Sequence, residues 1–279
     1  MWNSKDIYYI SDSTGILVTN LGQALICQFP EVSFYEEKFS FIQTVAEAKK
    51  TMEHIMKRSG GRRPIIFSTI LDPEVRAVFD SPEVEYFEAY GNFLERLENC
   101  LETRAVRERG FARHHNDVTL NKRVEAIHFC LAHDDGTKIS EYDEADVILL
   151  GVSRTGKTPV SVFLATQMGL KSANFPLTSE YLNRYRLPEM IRQNLSRVVA
   201  LTTSSEQLHS AREKRYPGSK YAKLSTCVEE IKQAEQIYLK YHVPIVSSAG
   251  KSIEETATQV MRILGISKKV PLYYLPVNP

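Results

Sequence analysis

No apolar run in the 279 residues approaches the roughly 20 needed to cross a bilayer, so a membrane-spanning helix is not expected. The opening M-W-N-S-K-D-I-Y-Y-I runs directly into an apolar strand, without the charged region, apolar core and small-residue site of a secretory leader. Export is therefore not expected, and a cytoplasmic location is. Cysteine is scarce: Cys27, Cys100, Cys130 and Cys227 are scattered with no C-x-x-C pair, which argues against a zinc ribbon or a disulfide framework and suits a reducing compartment. All four read as packing or bystander residues. Excess charge is also missing. The 35 Lys and Arg against 34 Asp and Glu leave a net charge of +1, too little to draw nucleic acid or an anionic membrane to the whole molecule. Neither is expected as a partner, and any anion site must be local.

Hydrophobic residues make up 43% of the chain and charged ones 25%, enough to bury one large core or two modest ones. There is no internal repeat and no low-complexity tract. Strand-like and helix-like segments alternate along most of the length, which predicts an α/β fold with a mainly parallel sheet. Strands are expected at Ile7 to Ile10, at Val32 to Tyr35 and in P-I-I-F-S-T-I. Helices are expected in I-L-V-T-N-L-G-Q-A-L-I-C-Q-F, from about Thr44 to Arg58, and from Pro82 to about Glu102. Between Thr103 and Asp117 the basic stretch T-R-A-V-R-E-R-G-F-A-R-H-H-N-D breaks the periodicity and reads as a linker or a substrate-facing arm. The helical pattern L-N-K-R-V-E-A-I-H-F-C-L-A follows and stops at H-D-D-G. Further strands are expected at V-I-L-L, R-V-V-A-L-T and P-I-V-S, with a closing helix from about Ile253 to Leu264. The expected organisation is an N-terminal α/β domain over 1–103, a basic linker and connecting helix over 104–143, and a C-terminal P-loop kinase-like domain over 144–279.

The most informative stretch is A-D-V-I-L-L-G-V-S-R-T-G-K-T-P-V-S, from Ala145 to Ser161. Four consecutive apolar residues suit a strand covered on both faces. Gly151, Val152, Ser153, Arg154, Thr155, Gly156, Lys157 and Thr158 then fit G-x-x-x-x-G-K-S/T, a loop whose backbone N–H groups surround phosphate oxygens at the start of a helix. Lys157 is expected to reach the outer phosphates, and the Thr158 hydroxyl to coordinate Mg²⁺. Pro159 is tolerable, because first-turn N–H groups have no helical partner to lose.

The order of the remaining motifs narrows the machine. A switch GTPase places D-x-x-G and then N-K-x-D after its loop. Here Asp12-Ser13-Thr14-Gly15 and Asn121-Lys122-Arg123-Val124 both precede it, and the second lacks the aspartate. Motor-type ATPases hold Mg²⁺ with an acid ending a later strand, yet the later strands end in A-L-T-T-S and I-V-S-S. The carboxylate must come from elsewhere. A-H-D-D-G offers Asp134 and Asp135, as metal ligand or as the base that takes a proton from an attacking hydroxyl; a plain turn is the simpler account. In A-R-E-K-R-Y-P-G-S-K-Y-A, Arg212 and Arg215 fall on one helical edge before a P-G-S turn, a lid to clamp developing phosphoryl charge or merely surface arginines. I-S-D-S-T-G at Ile10 to Gly15 reads either as a second anion site, with Ser13 and Thr14 as donors, or as helix capping.

Taken in order, S-D-S-T-G-I, L-A-H-D-D-G, G-V-S-R-T-G-K-T-P-V-S with A-N-F-P-L, and R-E-K-R with S-K-Y-A resemble the bacterial phosphoenolpyruvate synthase regulatory proteins. These are relatives of the pyruvate, phosphate dikinase regulators. The resemblance runs from about Ile10 to Leu264. It implies a bifunctional serine/threonine kinase and pyrophosphorylase, with phosphoenolpyruvate synthase as protein substrate. Such a protein uses ADP to phosphorylate and inactivate its target, and uses inorganic phosphate as co-substrate to reverse the modification, releasing pyrophosphate. The ADP preference comes from the resemblance alone. On this reading Lys157 and Arg154 neutralise donor phosphates, Thr158 with Asp135 seats Mg²⁺, and Asp134 or Asp135 aids proton removal. A P-loop small-molecule kinase and a nucleotide-sensing module without catalysis remain alternatives. Whether the chain forms a homo-oligomer is not legible.

Overall fold

The computed structural model describes residues 4–108 and 117–266, and these fall into two compact units divided between His115 and Asn116. The first unit is a four-stranded, wholly parallel sheet in the order β2-β1-β3-β4: β1 (Ser4–Ser11), β2 (Ser33–Phe39), β3 (Ile65–Thr69) and β4 (Glu85–Glu88). Side chains alternate across it. Ile7, Tyr9 and Phe67 face helix α1 (Ile16–Ile26), while Tyr8, Ile10 and Ile66 face α2 (Val45–Ser59) and α3 (Pro73–Ala77). Thr44 starts α2 with a capping box, its hydroxyl accepting from the Glu47 N–H while the Glu47 carboxylate accepts from the Thr44 N–H.

The single helix expected from Pro82 to Glu102 divides. Glu85–Glu88 pairs with β3 as edge strand β4, and only Gly91–Leu101 is helical (α4). The alternation in E-Y-F-E explains the change: Tyr86 packs on one core while the Phe87 ring stacks on Phe67 at 5.2 Å. The S-D-S-T-G stretch does not cap α1 through a side chain, because Gly15, at φ 75, holds the cap position. Ser11 and Asp12 instead join the carboxyl ends of β1 and β3. Ser11 Oγ accepts from Thr69 Oγ1, and Asp12 Oδ2 accepts from the Leu71 N–H at 3.0 Å. Of the basic stretch, residues 109–116 lie outside the described residues.

The second unit repeats the design with a sheet ordered β6-β5-β7-β8, again parallel: β5 (Val147–Gly151), β6 (Ser172–Pro176), β7 (Val198–Thr202) and β8 (Ile245–Ser247). Helix α5 (Asp117–Ala132) precedes β5, and α6 (Lys157–Phe163) follows it, continuing as a wider π turn over Leu164–Met168. Short α7 (Ser179–Arg184) and α8 (Glu189–Gln193) connect β6 to β7; α9 (Ser205–Glu213), α10 (Leu224–Lys240) and α11 (Ile253–Ile263) are the remaining α-helices among the described residues. Both sheet faces are covered, which is why β5 reads as an unbroken apolar run. Ile148 and Leu150 join a core with α7 to α10, while Val147 and Leu149 join one with α6 and α11. Strand β6 was not among the expected elements, since S-A-N-F-P is short and carries a polar residue and a proline. Among the described residues no helix is long and apolar enough to cross a membrane.

Candidate functional site

The G-V-S-R-T-G-K-T segment leaves the carboxyl end of β5 and turns into α6, as the spacing predicts. Two residues bend it: Arg154 at φ 77 and Gly156 at φ 92 are both in the left-handed region. Arg154 pays steric strain there that glycine avoids. The turn is fixed from within and from behind. Thr155 Oγ1 donates to the Val152 carbonyl at 3.1 Å, and Ser248, just past β8, donates to the Thr155 carbonyl at 3.0 Å. Gly151 sits where a Cβ would lie 2.6 Å from the Leu201 carbonyl oxygen, so strand packing demands its small size. Pro159 falls in the first helical turn, and α6 still makes its Val160 N–H to Gly156 O bond.

Lys157 is only 4% exposed and its Nζ donates across the loop to the Val152 carbonyl at 3.0 Å. Burial pushes its ammonium down to about 8, against the upward pull of Asp135 and Asp134 and with Arg212 adding to the depression. Both carboxylates of the D-D-G turn thus lie within the field of the loop lysine. The turn follows α5 and packs on β6, with Asp135 at φ 49 and Gly136 at φ 79.

The two aspartates take different places. Asp134 Oδ1 accepts the Thr158 hydroxyl at 3.0 Å and also the Asn174 side-chain amide. Asp135 is exposed and lines a cavity of about 440 Å³ with Ser153, Arg154, Arg215, Tyr216 and Tyr221. The carboxylate brought to Thr158 is therefore Asp134, where the sequence reading had paired Thr158 with Asp135. The residues fit a small hard cation: one hydroxyl and one carboxylate oxygen, all oxygen donors, beside the Gly151–Thr158 loop. Among the described residues no cluster of three or more His, Cys, Asp or Glu is placed to hold a metal, so phosphate oxygens and water must complete any Mg²⁺ shell.

The expected arginine pair also separates. Arg212 is wholly buried. Its guanidinium donates to the carbonyls of Ser153 at 3.2 Å and Tyr221 at 3.1 Å, meets Glu230 Oε2 at 2.6 Å, and lies 4.1 Å beneath the Tyr221 ring. It is committed to holding the loop and is not an open clamp. Arg215 lies beyond the end of α9, exposed and facing the cavity beside Arg154. The helix ends between the two residues, so they do not share an edge. Tyr221 adds a second tie, its hydroxyl donating to Ser153 Oγ at 2.9 Å.

Sequence reasoning missed Asn174, Glu230, Tyr221 and Ser248. Only Asn174 had a local signal, a polar residue inside an otherwise apolar strand. Tyr221 lies in the S-K-Y-A motif, which gave no role for it, and Glu230 and Ser248 come from segments distant in the chain with no signature of a part in the site.

A family model described as kinase/pyrophosphorylase matches residues 7–261. A protein of Desulfotalea psychrophila named as a phosphoenolpyruvate synthase regulatory protein is 47% identical over 264 residues, covering 95% of this chain and 97% of that one. Proteins bearing the same name in Hahella chejuensis and Laribacter hongkongensis are 37% and 38% identical, covering 95% and 96% of this chain and 99% and 100% of theirs. Among solved structures, a LacI transcriptional regulator of Lactobacillus brevis aligns at 11% identity over 87% of this chain and 98% of that one, with a TM-score of 0.23, too low to carry any argument.

Proposed function

The chain belongs to the kinase/pyrophosphorylase family, and on that premise we propose that it regulates phosphoenolpyruvate synthase by adding and removing a phosphoryl group on a threonine. The observation that carries this reading is the meeting of Thr158 and Asp134 at 3.0 Å beside a buried Lys157. It supports a phosphate loop supplied with its missing carboxylate from a segment earlier in the chain.

In the forward direction the target hydroxyl attacks the β-phosphorus of ADP. The bond to the bridging oxygen breaks, AMP leaves with that oxygen, and the hydroxyl proton passes to Asp135. Lys157 and the loop N–H groups hold the donor phosphates, and the cations Arg154 and Arg215 oppose charge that develops on the cavity side. Mg²⁺, held by Thr158 and Asp134, would neutralise phosphate charge. In reverse an oxygen of inorganic phosphate attacks the phosphothreonine phosphorus. The threonine oxygen leaves, takes a proton from Asp135, and pyrophosphate is released. One cradle of backbone donors and cations serves both directions, because it recognises phosphate oxygens and not the rest of the molecule.

Incubating the chain with ADP labelled in its β-phosphate and purified phosphoenolpyruvate synthase tests the proposal. Label on the synthase with AMP formed in equal amount is expected, and addition of phosphate should return the label as pyrophosphate. An unlabelled synthase under conditions where the chain binds ADP would refute the reading.

A further inference from the structure

Strand β6 is covered on both faces, where a continuous apolar run is the rule, yet Asn174 sits in its middle only 1% exposed. A buried carboxamide is costly unless its donors and acceptor are met. Here they are met almost entirely by the turn before β5. The Asn174 backbone N–H donates to the His133 carbonyl at 3.2 Å, its Nδ2 donates to Asp134 Oδ1, and its Oδ1 accepts the Asp135 N–H at 3.0 Å. Its own carbonyl accepts from the Tyr142 hydroxyl at 2.8 Å. One residue therefore grips three consecutive residues of the H-D-D-G segment.

The chemistry fixes which way the amide faces. A backbone N–H can only donate, so the atom against Asp135 must be the carbonyl oxygen and the atom against Asp134 must be the NH₂. That orientation has two consequences. The amide and Thr158 both donate to Oδ1 of Asp134, and among the described residues no donor reaches Oδ2. Asp135, anchored by its N–H at φ 49, is held with the chain in the left-handed region, where its side chain lines the cavity shared with Arg154 and Arg215.

We propose that Asn174 is the positioning residue of the site: its carboxamide divides the two adjacent aspartates, fixing Asp134 against Thr158 and directing Asp135 to the phosphoryl-acceptor cavity. This rests on the phosphotransfer reading above. Outer-shell partners of this kind typically govern 10- to 100-fold in metal affinity or activity.

The test compares Asn174→Asp with the wild-type chain, both with confirmed folding by circular dichroism. The substitution keeps the acceptor for Asp135 but sets a carboxylate against Asp134. With Mn²⁺ as probe in the presence of ADP, metal affinity should change about tenfold or more, while ADP binding without metal stays within about threefold, because the loop and Lys157 are untouched. Turnover should fall about 100-fold. Unchanged Mn²⁺ binding overturns the assignment. Should Asn174→Asp fail to fold, Asn174→Ser replaces it in a double-mutant cycle with Asp134→Ala, and zero coupling in Mn²⁺ affinity overturns the assignment equally. A wild-type chain that binds Mn²⁺ and ADP without transferring phosphoryl refutes the functional reading alone, since the Mn²⁺ comparison still decides the role of Asn174.

Discussion

Arg212 and Glu230 meet at 2.6 Å, the arginine wholly buried and the glutamate 19% exposed, with the same guanidinium nitrogen also reaching the Ser153 carbonyl at 3.2 Å. The pair joins α9 to α10 and hangs the Gly151–Thr158 loop from both. Removing one member of a buried pair leaves the other charge uncompensated, at a cost of about 3–5 kcal/mol. Arg212→Ala should therefore lower stability by about that amount in urea denaturation. Arg212→Lys should recover part of the stability but not the loop geometry, since an ammonium cannot reproduce the planar fork. Equal stability of Arg212→Ala and wild type would exclude the brace.

Lys157 gives opposite pH trends in binding and in stability. Burial holds its ammonium at about 8 in the folded chain, against 10.5 for an unperturbed lysine. Between these values the unfolded chain binds a proton that the folded chain does not, so stability should rise with pH across roughly 8 to 10.5, by up to about 3 kcal/mol. Phosphate binding needs the charged form, so ADP affinity should fall as pH climbs past about 8. Thermal melts and ADP titrations over this range test both trends, and Lys157→Met should flatten the two together.

On the proposed mechanism Lys157→Ala removes a charge that opposes the transferring group, and losses of about 10²–10³ in kcat are expected from such deletions. A variant with full activity on the synthase would remove Lys157 from the scheme.

The two aspartates should separate in a kinetic comparison. Asp134→Asn, beside Thr158, should raise the Mg²⁺ concentration needed for half-maximal activity. Asp135→Asn, in the cavity, should lower kcat by about 10²–10⁴ with little change in Mg²⁺ requirement. Identical Mg²⁺ dependence in both variants would contradict the division of roles.

Gly151→Ala tests the loop from its packing. The added Cβ would lie 2.6 Å from the Leu201 carbonyl oxygen and 2.9 Å from Thr155 Oγ1, and neither the backbone nor the buried threonine can retreat freely. A destabilisation of about 1–3 kcal/mol is expected, together with weaker ADP binding as the loop shifts.

How much could be read in advance depended on how local each signal was. The loop from Gly151 to Thr158 is contiguous, and its strand and helix flank it directly, so the motif and its setting were legible together. The alternation of strands and helices gave the fold class for the same reason. Strand β4 was hidden because E-Y-F-E is four residues long between turn-forming and helical segments, and β6 because Asn174 and Pro176 interrupt its apolar run.

The amino-acid order alone settled that this chain carries G-x-x-x-x-G-K-T between an all-apolar strand and a helix, since spacing of a few residues is enough to specify a turn and the charges on it. It also offered Asp134 and Asp135 as acids without saying what either would face. Only the tertiary structure put Asp134 on Thr158, across 24 residues, and Asn174 on both aspartates, and turned Arg212 inward to Glu230. Those pairings depend on which strands lie side by side. In a parallel sheet neighbours come from distant segments, and no local pattern records which polar groups their packing will force to satisfy one another.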